Sequence, residues 1–308
     1  MSKYCFLFPG QGSQYVGMGK DFYNNYSFAR QIYDKSEDIL EIPIKKLSFE
    51  GPESELRNTN ITQTAILVHS IICNEIIKQK GIIPELACGH SLGEYSALYC
   101  AGVLDLESVL KLVKRRGELM FSEGLKKPGS MAAIIGLSDE IVIDLCKNSS
   151  GVVVPANFNA PGQIVVSGEP NAVKELCNTA TSKGAKAIML PVSGAFHSPL
   201  LQESAQGYEK YMTSFNFKPP QFPIIPNRTA IATSELSEIK KALEEQLINP
   251  VLWTKTILTA KSLGFTKFIE IGPGRVLSGL VKRIDKNLET STIGTIDEIT
   301  KMTISNER

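Results

Sequence analysis

Residues 89–94, Gly-His-Ser-Leu-Gly-Glu, place a serine between two glycines in the pattern Gly-x-Ser-x-Gly. An apolar run at 85–88 precedes the pattern, and a helix-like segment at 94–101 follows it. A strand, a sharp turn and a helix in this order form a nucleophile elbow, which holds the serine hydroxyl at a helix N-terminus where N–H groups favour developing negative charge. Structural turns use the same residue types, but the strand and helix signals on both sides favour a catalytic nucleophile at Ser91.

Three histidines could supply a general base for that serine. His90 adjoins Ser91, and at an elbow its ring is expected to point away and to pack or hydrogen-bond locally. His69 lies in an apolar helical pattern at 64–77, which is typical of a core or interface residue. His197 lies in a loop of small residues directly after a predicted strand, and loops placed by strand ends commonly carry catalytic bases. We therefore predict His197 as the base.

A glycine-rich loop, Gly10-Gln11-Gly12, follows the first predicted strand. A dinucleotide-binding fingerprint would need a third glycine at position 15, which holds Tyr15, so the sequence predicts no cofactor. Such a loop can instead present a main-chain N–H to an oxyanion, beside the N–H that follows the nucleophile. The predicted oxyanion donors are the N–H groups of Gln11 and Leu92.

Arg116 continues an apolar stripe in the predicted helix 106–120, which Val109, Leu112 and Val113 begin. A guanidinium on a buried stripe requires an anionic or hydrogen-bonding partner. An internal salt bridge, or a side chain that bends out to solvent, explains the pattern as well as a clamp on a substrate carboxylate does. The pattern leaves these alternatives open.

The elements that must position these residues fall into three segments. The first, 1–124, begins with a strand at 4–8 and continues with helices and the elbow strand, which indicates a parallel sheet covered by helices. The third, 193–308, returns to that domain and contains a strand at 267–271. The second, 125–192, has the β-α-β-β-α-β order of a ferredoxin-like subdomain and is predicted as an insertion. Its predicted elements are strands at 130–137, 152–157, 163–167 and 186–192, helices at 138–147 and 170–182, and a turn at 159–162.

Composition excludes several classes of function. The 308 residues carry a net charge of +1, without a cluster of basic and aromatic residues, which argues against nucleic acid as the main partner. The apolar run near the N-terminus is too short for a signal peptide, and no apolar run reaches membrane length, so we expect neither secretion nor a membrane partner. The six scattered cysteines lack a Cys-x-x-Cys pair and predict reduced core thiols, no metal site and a cytoplasmic location.

Seven motifs in one order resemble the malonyl-CoA:acyl-carrier-protein transacylases, and the resemblance covers nearly the whole chain. Seven ordered motifs are far more specific than the elbow alone. The resemblance implies a large α/β domain with a hydrolase-like core and a ferredoxin-like insertion. The motifs are Pro9-Gly10-Gln11-Gly12-Ser13-Gln14, Gly89-His90-Ser91-Leu92-Gly93-Glu94, Arg116-Gly117, Asn157-Phe158-Asn159-Ala160-Pro161-Gly162-Gln163, Ala195-Phe196-His197, Gln246-Leu247-Ile248-Asn249-Pro250 with Trp253, and Ile271-Gly272-Pro273-Gly274.

The resemblance also implies a mechanism. Ser91 would attack malonyl-CoA and His197 would act as its base, and the malonyl ester would pass to the phosphopantetheine thiol of holo acyl carrier protein in a ping-pong cycle. In this family a main-chain carbonyl orients the histidine, and the matching position is Gln246. Malonyl-CoA and acyl carrier protein are therefore the expected partners.

Further residues gain expected roles in acyl-group recognition from the same resemblance. Arg116 matches the arginine that pairs bidentately with the malonyl carboxylate, which favours the substrate clamp. Gln63 matches a glutamine near the acyl group, and Phe196 suits malonyl because relatives that accept branched extenders usually carry a smaller residue there. Asn159 and Gln163 match family positions that are expected to be structural.

Three alternative functions share parts of these patterns. A serine esterase or thioesterase also has the elbow, but in such chains an acidic residue follows the serine and the histidine lies close to the C-terminus, whereas 111 residues follow His197. A carrier-binding module without activity would not need Ser91, His197 and Arg116 together. The same transfer could also serve a polyketide pathway, which the sequence does not distinguish from fatty acid synthesis.

Overall fold

The computed structural model describes residues 3–192 and 194–306, and its strands form two separate sheets. The strands within these residues are β1 (Tyr4–Phe8), β2 (Leu86–Gly89), β3 (Ser130–Ile135), β4 (Val153–Ala160), β5 (Gln163–Gly168), β6 (Lys186–Met189), β7 (Ile224–Ile225), β8 (Lys267–Ile271) and β9 (Glu289–Ile293).

The α-helices surround both sheets. They are α1 (Lys20–Asn25), α2 (Ser27–Leu40), α3 (Ile44–Glu50), α4 (Glu53–Leu56), α5 (Thr59–Gln79), α6 (Gly93–Cys100), α7 (Leu106–Lys126), α8 (Asp139–Lys147), α9 (Pro170–Ser182), α10 (Gln202–Met212), α11 (Leu236–Glu244), α12 (Trp253–Ser262), α13 (Val276–Ile284) and α14 (Ile296–Asn306). Short 3-10 turns lie at Pro199–Leu201 and Gln246–Ile248. Within residues 3–192 and 194–306, no helix has both the length and the apolar composition that crossing a bilayer requires.

The larger sheet has the order β7-β2-β1-β8-β9, and its paired strands run parallel. Its central strands are buried and almost wholly apolar, as expected when helices cover both faces of a parallel sheet. Strands β1 and β2 precede the predicted insertion and β7, β8 and β9 follow it, so the chain leaves this sheet and returns to it. The carboxyl ends of β1 and β2 lie side by side, with Phe8 opposite Gly89.

The smaller sheet is antiparallel and has the order β4-β5-β3-β6. Helices α8 and α9 pack on it and close a separate apolar core that includes Ile134, Val166 and Val173. Together with the β-α-β-β-α-β element order, this strand order is ferredoxin-like, so the predicted fold class is confirmed. The division into 1–124 with 193–308 and 125–192 stays a proposal, and residues 1, 2, 193, 307 and 308 of those ranges lie outside the described residues.

Two strand ends in the smaller sheet differ from the sequence prediction by three residues, and the other predicted ends of these strands differ by less. Strand β4 continues to Ala160, which pairs with Gln163 across a register shift, so the turn is confined to Pro161 and Gly162. A β-bulge lets a strand keep its partner through residues that have turn-like sequence, which explains the longer strand. The last strand, β6, ends at Met189 rather than at 192.

Helices α5 and α7, each of 21 residues, pack against each other beside the larger sheet. Nearly all of α5 is buried, which matches its continuous apolar sequence. Asp105 begins α7 by accepting a hydrogen bond from the Ser108 N–H at 2.8 Å, a regular N-cap. These two helices carry Gln63 and Arg116 to the end of the sheet where β2 stops.

Candidate active site

The turn between β2 and α6 forces Ser91 into the left-handed backbone region, with a φ of 51°. A Cβ on Gly89 would lie 1.9 Å from the Gly93 carbonyl carbon, and a Cβ on Gly93 would lie 1.9 Å from the Phe8 carbonyl oxygen. Only glycine permits such close approach of strand and helix. A non-glycine residue held at positive φ stores backbone strain and is a feature of active sites, which supports the predicted elbow.

The Ser91 hydroxyl meets His197, since Oγ lies 2.8 Å from the ring nitrogen Nε2. The other ring nitrogen, Nδ1, lies 3.0 Å from the Gln246 carbonyl oxygen and 3.1 Å from that of Asn249. Carbonyl oxygens only accept hydrogen bonds, so Nδ1 carries the proton and Nε2 offers its lone pair to the Ser91 hydroxyl. His197 itself has a φ of 57°. The Asn249 carbonyl is a partner that sequence reasoning missed.

Two features of its surroundings, burial and a nearby positive charge, keep the His197 ring neutral. Burial and, after it, the nearby Arg116 guanidinium lower the pKa of His197 to about 3. Both effects disfavour the charged form of a histidine. At neutral pH the ring is therefore unprotonated and free to accept a proton.

Arg116 is buried, with 1% of its surface exposed, and its guanidinium is held by uncharged groups. Its Nη1 donates to the Gln63 Oε1 at 2.7 Å, and its Nη2 donates to the Gln246 Oε1 at 2.9 Å and to the Ser91 Oγ at 3.1 Å. The guanidinium also lies 5.5 Å from the centre of the Tyr95 ring. No ion pair joins Arg116 to a carboxylate within residues 3–192 and 194–306, so neither a direct salt bridge nor an exposed side chain explains its position.

The two predicted oxyanion donors, Gln11 and Leu92, both border the cavity that Ser91 faces. Neither main-chain N–H has an acceptor in the part of the chain that the structure describes. The Gln11 side chain is held by a hydrogen bond from its Nε2 to the Thr59 Oγ1 at 3.3 Å. Two free N–H groups beside a nucleophile are what a developing oxyanion requires, and their role stays a prediction.

The cavity itself has a volume of about 100 Å³ and a largely apolar wall. Phe196 forms part of that wall and is 5% exposed, while Gln63 and Arg116 supply polar groups. Sequence reasoning did not single out the other apolar lining residues, which are Met120, Met131, Leu190 and Val192.

Neither of the other two histidine rings hydrogen-bonds to the Ser91 hydroxyl. His90 hydrogen-bonds through Nε2 to the Asn159 Oδ1 at 2.8 Å, as expected for local bonding at an elbow. His69 is fully buried, and its Nε2 lies 3.0 Å from the Gly294 carbonyl oxygen. It is therefore a core histidine.

Asn159 and Gln163 were expected to be structural, and their contacts are consistent with that. Asn159 holds the ring of His90, and the Gln163 Oε1 accepts a hydrogen bond from the Arg283 Nη1. Each contact joins the smaller sheet to an element of the larger domain, because Arg283 lies on α13 and His90 on the elbow.

Two further polar residues surround the elbow and were not predicted. The Asn227 Oδ1 accepts the Ser91 N–H at 2.7 Å, and its Nδ2 donates to the Gly89 carbonyl. Glu94 is buried on α6 and bonds to the side chain of Gln246 at 2.8 Å. The available sequence signal was Glu94 itself, the one charged residue of helix α6. Asn227 follows β7 in a loop without such a signal.

The buried histidines predict a pH-dependent stability. Burial lowers the pKa of His69 from its ordinary 6.5 to about 4, so below pH 6.5 the unfolded chain binds a proton that the folded chain excludes. The contribution of His69 to the free energy of unfolding is therefore complete above pH 6.5 and is lost as the pH falls towards 4. Between pH 6.5 and 5 the loss is about 1.5 kcal/mol for one histidine.

Urea unfolding of the wild type and of His69→Leu at both pH values measures this effect. The free energy of unfolding of the wild type should fall by about 1.5 kcal/mol more than that of the variant. The readout is this difference, because burial raises the pKa of Glu94 to about 7 and that group changes stability in the opposite direction. An equal change in the free energy of unfolding of both proteins would show that His69 binds protons equally in the folded and the unfolded chain.

Comparison with known proteins identifies the family. Residues 5–302 match the acyl transferase domain family. This chain belongs to that family. The acyltransferase is 42% identical over 297 residues to the malonyl CoA-acyl carrier protein transacylase of Bacillus subtilis. The aligned region covers 95% of this chain and 94% of the relative. It is 39% identical over 303 residues to the transacylase of the same name from Staphylococcus aureus strain MRSA252, covering 97% of this chain and 98% of the relative.

Solved structures of similar proteins share the fold of the acyltransferase. The malonyl-CoA:acyl carrier protein transacylase of Xanthomonas oryzae pv. oryzae superposes with a TM-score of 0.95 at 38% identity, covering 99% of this chain and 98% of that one. A malonyl transacylase solved in complex with its type II polyketide synthase acyl carrier protein superposes with a TM-score of 0.94 at 38% identity, covering 97% and 98%. The roles given above to single residues of the acyltransferase stay predictions.

Proposed function

We propose that this acyltransferase moves the malonyl group from malonyl-CoA to the phosphopantetheine thiol of holo acyl carrier protein, through a malonyl ester on Ser91. The observation that supports the choice of acyl group is the buried Arg116 guanidinium, which lies 3.1 Å from the Ser91 Oγ without a salt-bridge partner among residues 3–192 and 194–306. A buried cation favours an anionic partner, and the free carboxylate of a dicarboxylic acyl chain supplies one at this distance from the nucleophile.

In the first half-reaction, His197 Nε2 takes the Ser91 proton while Oγ attacks the thioester carbonyl carbon. The carbonyl oxygen becomes negatively charged and receives hydrogen bonds from the N–H groups of Gln11 and Leu92. The carbon–sulfur bond then breaks, and His197 gives the proton to the leaving thiolate sulfur, which departs as the free thiol of coenzyme A. In the second half-reaction, His197 takes the proton of the carrier thiol, whose sulfur attacks the ester, and then returns that proton to the Ser91 oxygen.

Arg116 and His197 are coupled through charge. After burial, the guanidinium is the next cause that lowers the pKa of His197, so it weakens the base as long as its own charge is not neutralised. A malonyl carboxylate bound to Arg116 would neutralise that charge and strengthen the base at the moment when the correct acyl group is present. An acetyl group cannot do so, which adds a rate effect to the binding preference for malonyl.

Intact-protein mass spectrometry after mixing with malonyl-CoA tests this function. The protein should gain one malonyl mass, and addition of holo acyl carrier protein should remove that mass from the enzyme and add it to the carrier. A thioesterase would instead release free malonate without any carrier. Absence of the enzyme adduct together with carrier-independent malonate release would contradict the proposal.

Arg116→Ala should lose malonyl transfer while keeping or gaining acetyl transfer. A bidentate, charge-assisted pair in a dry pocket contributes a few kcal/mol, so the ratio of kcat/KM for malonyl-CoA to that for acetyl-CoA should fall by about a hundredfold or more. Arg116→Lys should restore little, because an ammonium lacks the planar fork. Kinetics with the two thioesters measures the ratio.

The neighbouring Arg115 provides a matched control for this substitution. Arg115 lies on the same helix with about 43% of its side chain exposed and pairs with Glu118, so Arg115→Ala should leave the ratio unchanged. Equal losses with both thioesters in Arg116→Ala would instead identify a structural arginine.

The pathway and the place of the reaction belong to the same proposal. Supply of malonyl units to fatty acid synthesis is the main assignment, and the similar complex with a type II polyketide synthase carrier makes polyketide synthesis the second. Rates with the two kinds of holo carrier protein distinguish them. The cytoplasm is the proposed location, since all six cysteines are free thiols and five are buried.

A further inference from the structure

We infer that Glu94 is a positioning residue for the acylation step, which holds Ser91 and its partners in place through Gln246 and Asn227. The inference rests on the proposed function, because it concerns the rate at which Ser91 becomes acylated. Among the described residues, the Glu94 side chain forms no hydrogen bond to the Ser91 hydroxyl or to the His197 ring, so any effect of that side chain on the chemistry must pass through other residues.

Glu94 is buried within α6, with 1% of its surface exposed, and uses one carboxyl oxygen for two hydrogen bonds. Its Oε2 accepts from the Gln246 Nε2 at 2.8 Å and from the Asn227 main-chain N–H at 3.1 Å. Its Oε1 has no partner within the described residues. Such burial is unfavourable for a carboxyl group unless its contacts compensate, and it does not form an ion pair with the described residues.

The two residues that meet at Glu94 also hold the main chain of Ser91 from both sides. The Ser91 N–H donates to the Asn227 Oδ1 at 2.7 Å, and the Ser91 carbonyl accepts from the Gln246 Nε2 at 3.0 Å. A residue at positive φ keeps that conformation only when its surroundings fix it. Glu94 accepts a hydrogen bond from each of these two residues, joins them into one unit and thereby fixes the elbow.

Gln246 extends this unit to the rest of the site. Its main-chain oxygen receives the His197 Nδ1 hydrogen bond at 3.0 Å, and its side-chain oxygen receives the Arg116 Nη2 hydrogen bond at 2.9 Å. A shift of Gln246 would therefore move the base and the carboxylate clamp relative to Ser91. Misplacement of reacting groups by about 1 Å can lower a rate about a hundredfold.

The geometry separates this role from a role of the Glu94 charge. Burial raises the pKa of Glu94 to about 7, so its neutral form is accessible near neutral pH. A proton on Oε1, the oxygen without a partner, leaves both hydrogen bonds to Oε2 intact. The positioning effect therefore depends on the reach and the acceptor oxygen of the side chain, and it survives loss of the charge.

Glu94→Gln and Glu94→Asp test this separation. Glutamine keeps the reach and one acceptor oxygen and loses the charge, so its single-turnover rate of malonylation should stay within about threefold of wild type. Aspartate keeps the charge but is one methylene shorter, so the malonylation rate of Glu94→Asp should fall about ten- to a hundredfold. The rate of Glu94→Ala should fall by a similar factor. The fall should appear in the rate at saturating malonyl-CoA more than in the apparent affinity, with rates normalised to folded protein.

Glu270 provides a matched control, because it is fully buried and its carboxylate accepts the N–H groups of Leu277 and Ser278 at 3.0 and 2.8 Å. Glu270→Gln and Glu270→Asp should change thermal stability but leave the malonylation rate per folded protein unchanged. An active aspartate variant beside an inactive glutamine variant would overturn the inference in favour of a charge effect. Wild-type rates in all three Glu94 variants, or an equal loss in Gln and Asp, would also overturn it. Failure of the wild type to become malonylated would contradict the proposed function instead.

Discussion

Ser91→Ala is expected to abolish the malonyl adduct and to lower malonyl transfer by several orders of magnitude. On the proposed mechanism the alanine variant lacks the oxygen that forms the ester, so the residual rate should come from binding and the oxyanion donors. Loss of the nucleophile of a serine protease lowers kcat on the order of a millionfold, which sets the scale. Intact-protein mass spectrometry measures the adduct, and transfer to holo carrier protein measures the rate.

Ser122→Ala is a suitable control for the nucleophile. Ser122 lies on α7, and its hydroxyl donates to the Leu119 carbonyl of the same helix at 3.1 Å, so its loss should leave both measurements unchanged. Peptide mapping of the wild-type adduct should locate the malonyl group on Ser91. A stable adduct on Ser91→Ala, or mapping to another residue, would remove the assignment.

His197→Ala is expected to slow malonylation of Ser91 by about 100- to 10,000-fold, the range that general base catalysis contributes. The serine hydroxyl would remain in place but would have no acceptor for its proton. Rapid mixing with malonyl-CoA, quenching at set times and mass spectrometry of the intact protein give the rate of adduct formation. The adduct should still form slowly on the same serine.

The base is also expected to work without a carboxylate at its Nδ1 nitrogen. Each aspartate or glutamate changed to alanine should therefore slow malonylation less than His197→Ala does, and the largest of these effects should be that of Glu94, at about ten- to a hundredfold. An acidic residue whose loss matches that of His197 in a folded protein would contradict the role given to the Gln246 carbonyl.

The sequence was informative where function depends on local pattern. The elbow needs two glycines, a strand and a helix within about a dozen residues, and all of these are visible around Ser91. The apolar stripe placed Arg116 on the buried side of its helix but left a side chain that bends out to solvent open, and the structure shows the side chain buried. Its hydrogen-bond partners, Gln63 and Gln246, lie 53 and 130 residues away in the chain, and no periodicity identifies such contacts.

Contacts across the fold account for what sequence reasoning missed. Asn227 reaches Ser91 over 136 residues of sequence through its side-chain amide, in a loop without a motif. Asn249 reaches His197 over 52 residues through a main-chain carbonyl, which any residue in that place could offer. Glu94 was visible as part of the elbow motif, but its pairing with Gln246 and Asn227 was not. The length of β4 was underestimated because the register shift before Ala160 depends on its pairing with Gln163.

The pair of carbonyl oxygens at the His197 Nδ1 nitrogen has a consequence for how long the acylated protein survives. Within residues 3–192 and 194–306, these two oxygens and no carboxylate contact Nδ1, so the imidazolium lacks the charge partner that supports it in a protease triad. Water, with a pKa of about 15.7, needs a strong base before it attacks an ester, whereas a thiol of pKa about 8.5 needs little help. A weakly supported base therefore slows hydrolysis far more than thiol attack, and the ester persists until a carrier arrives.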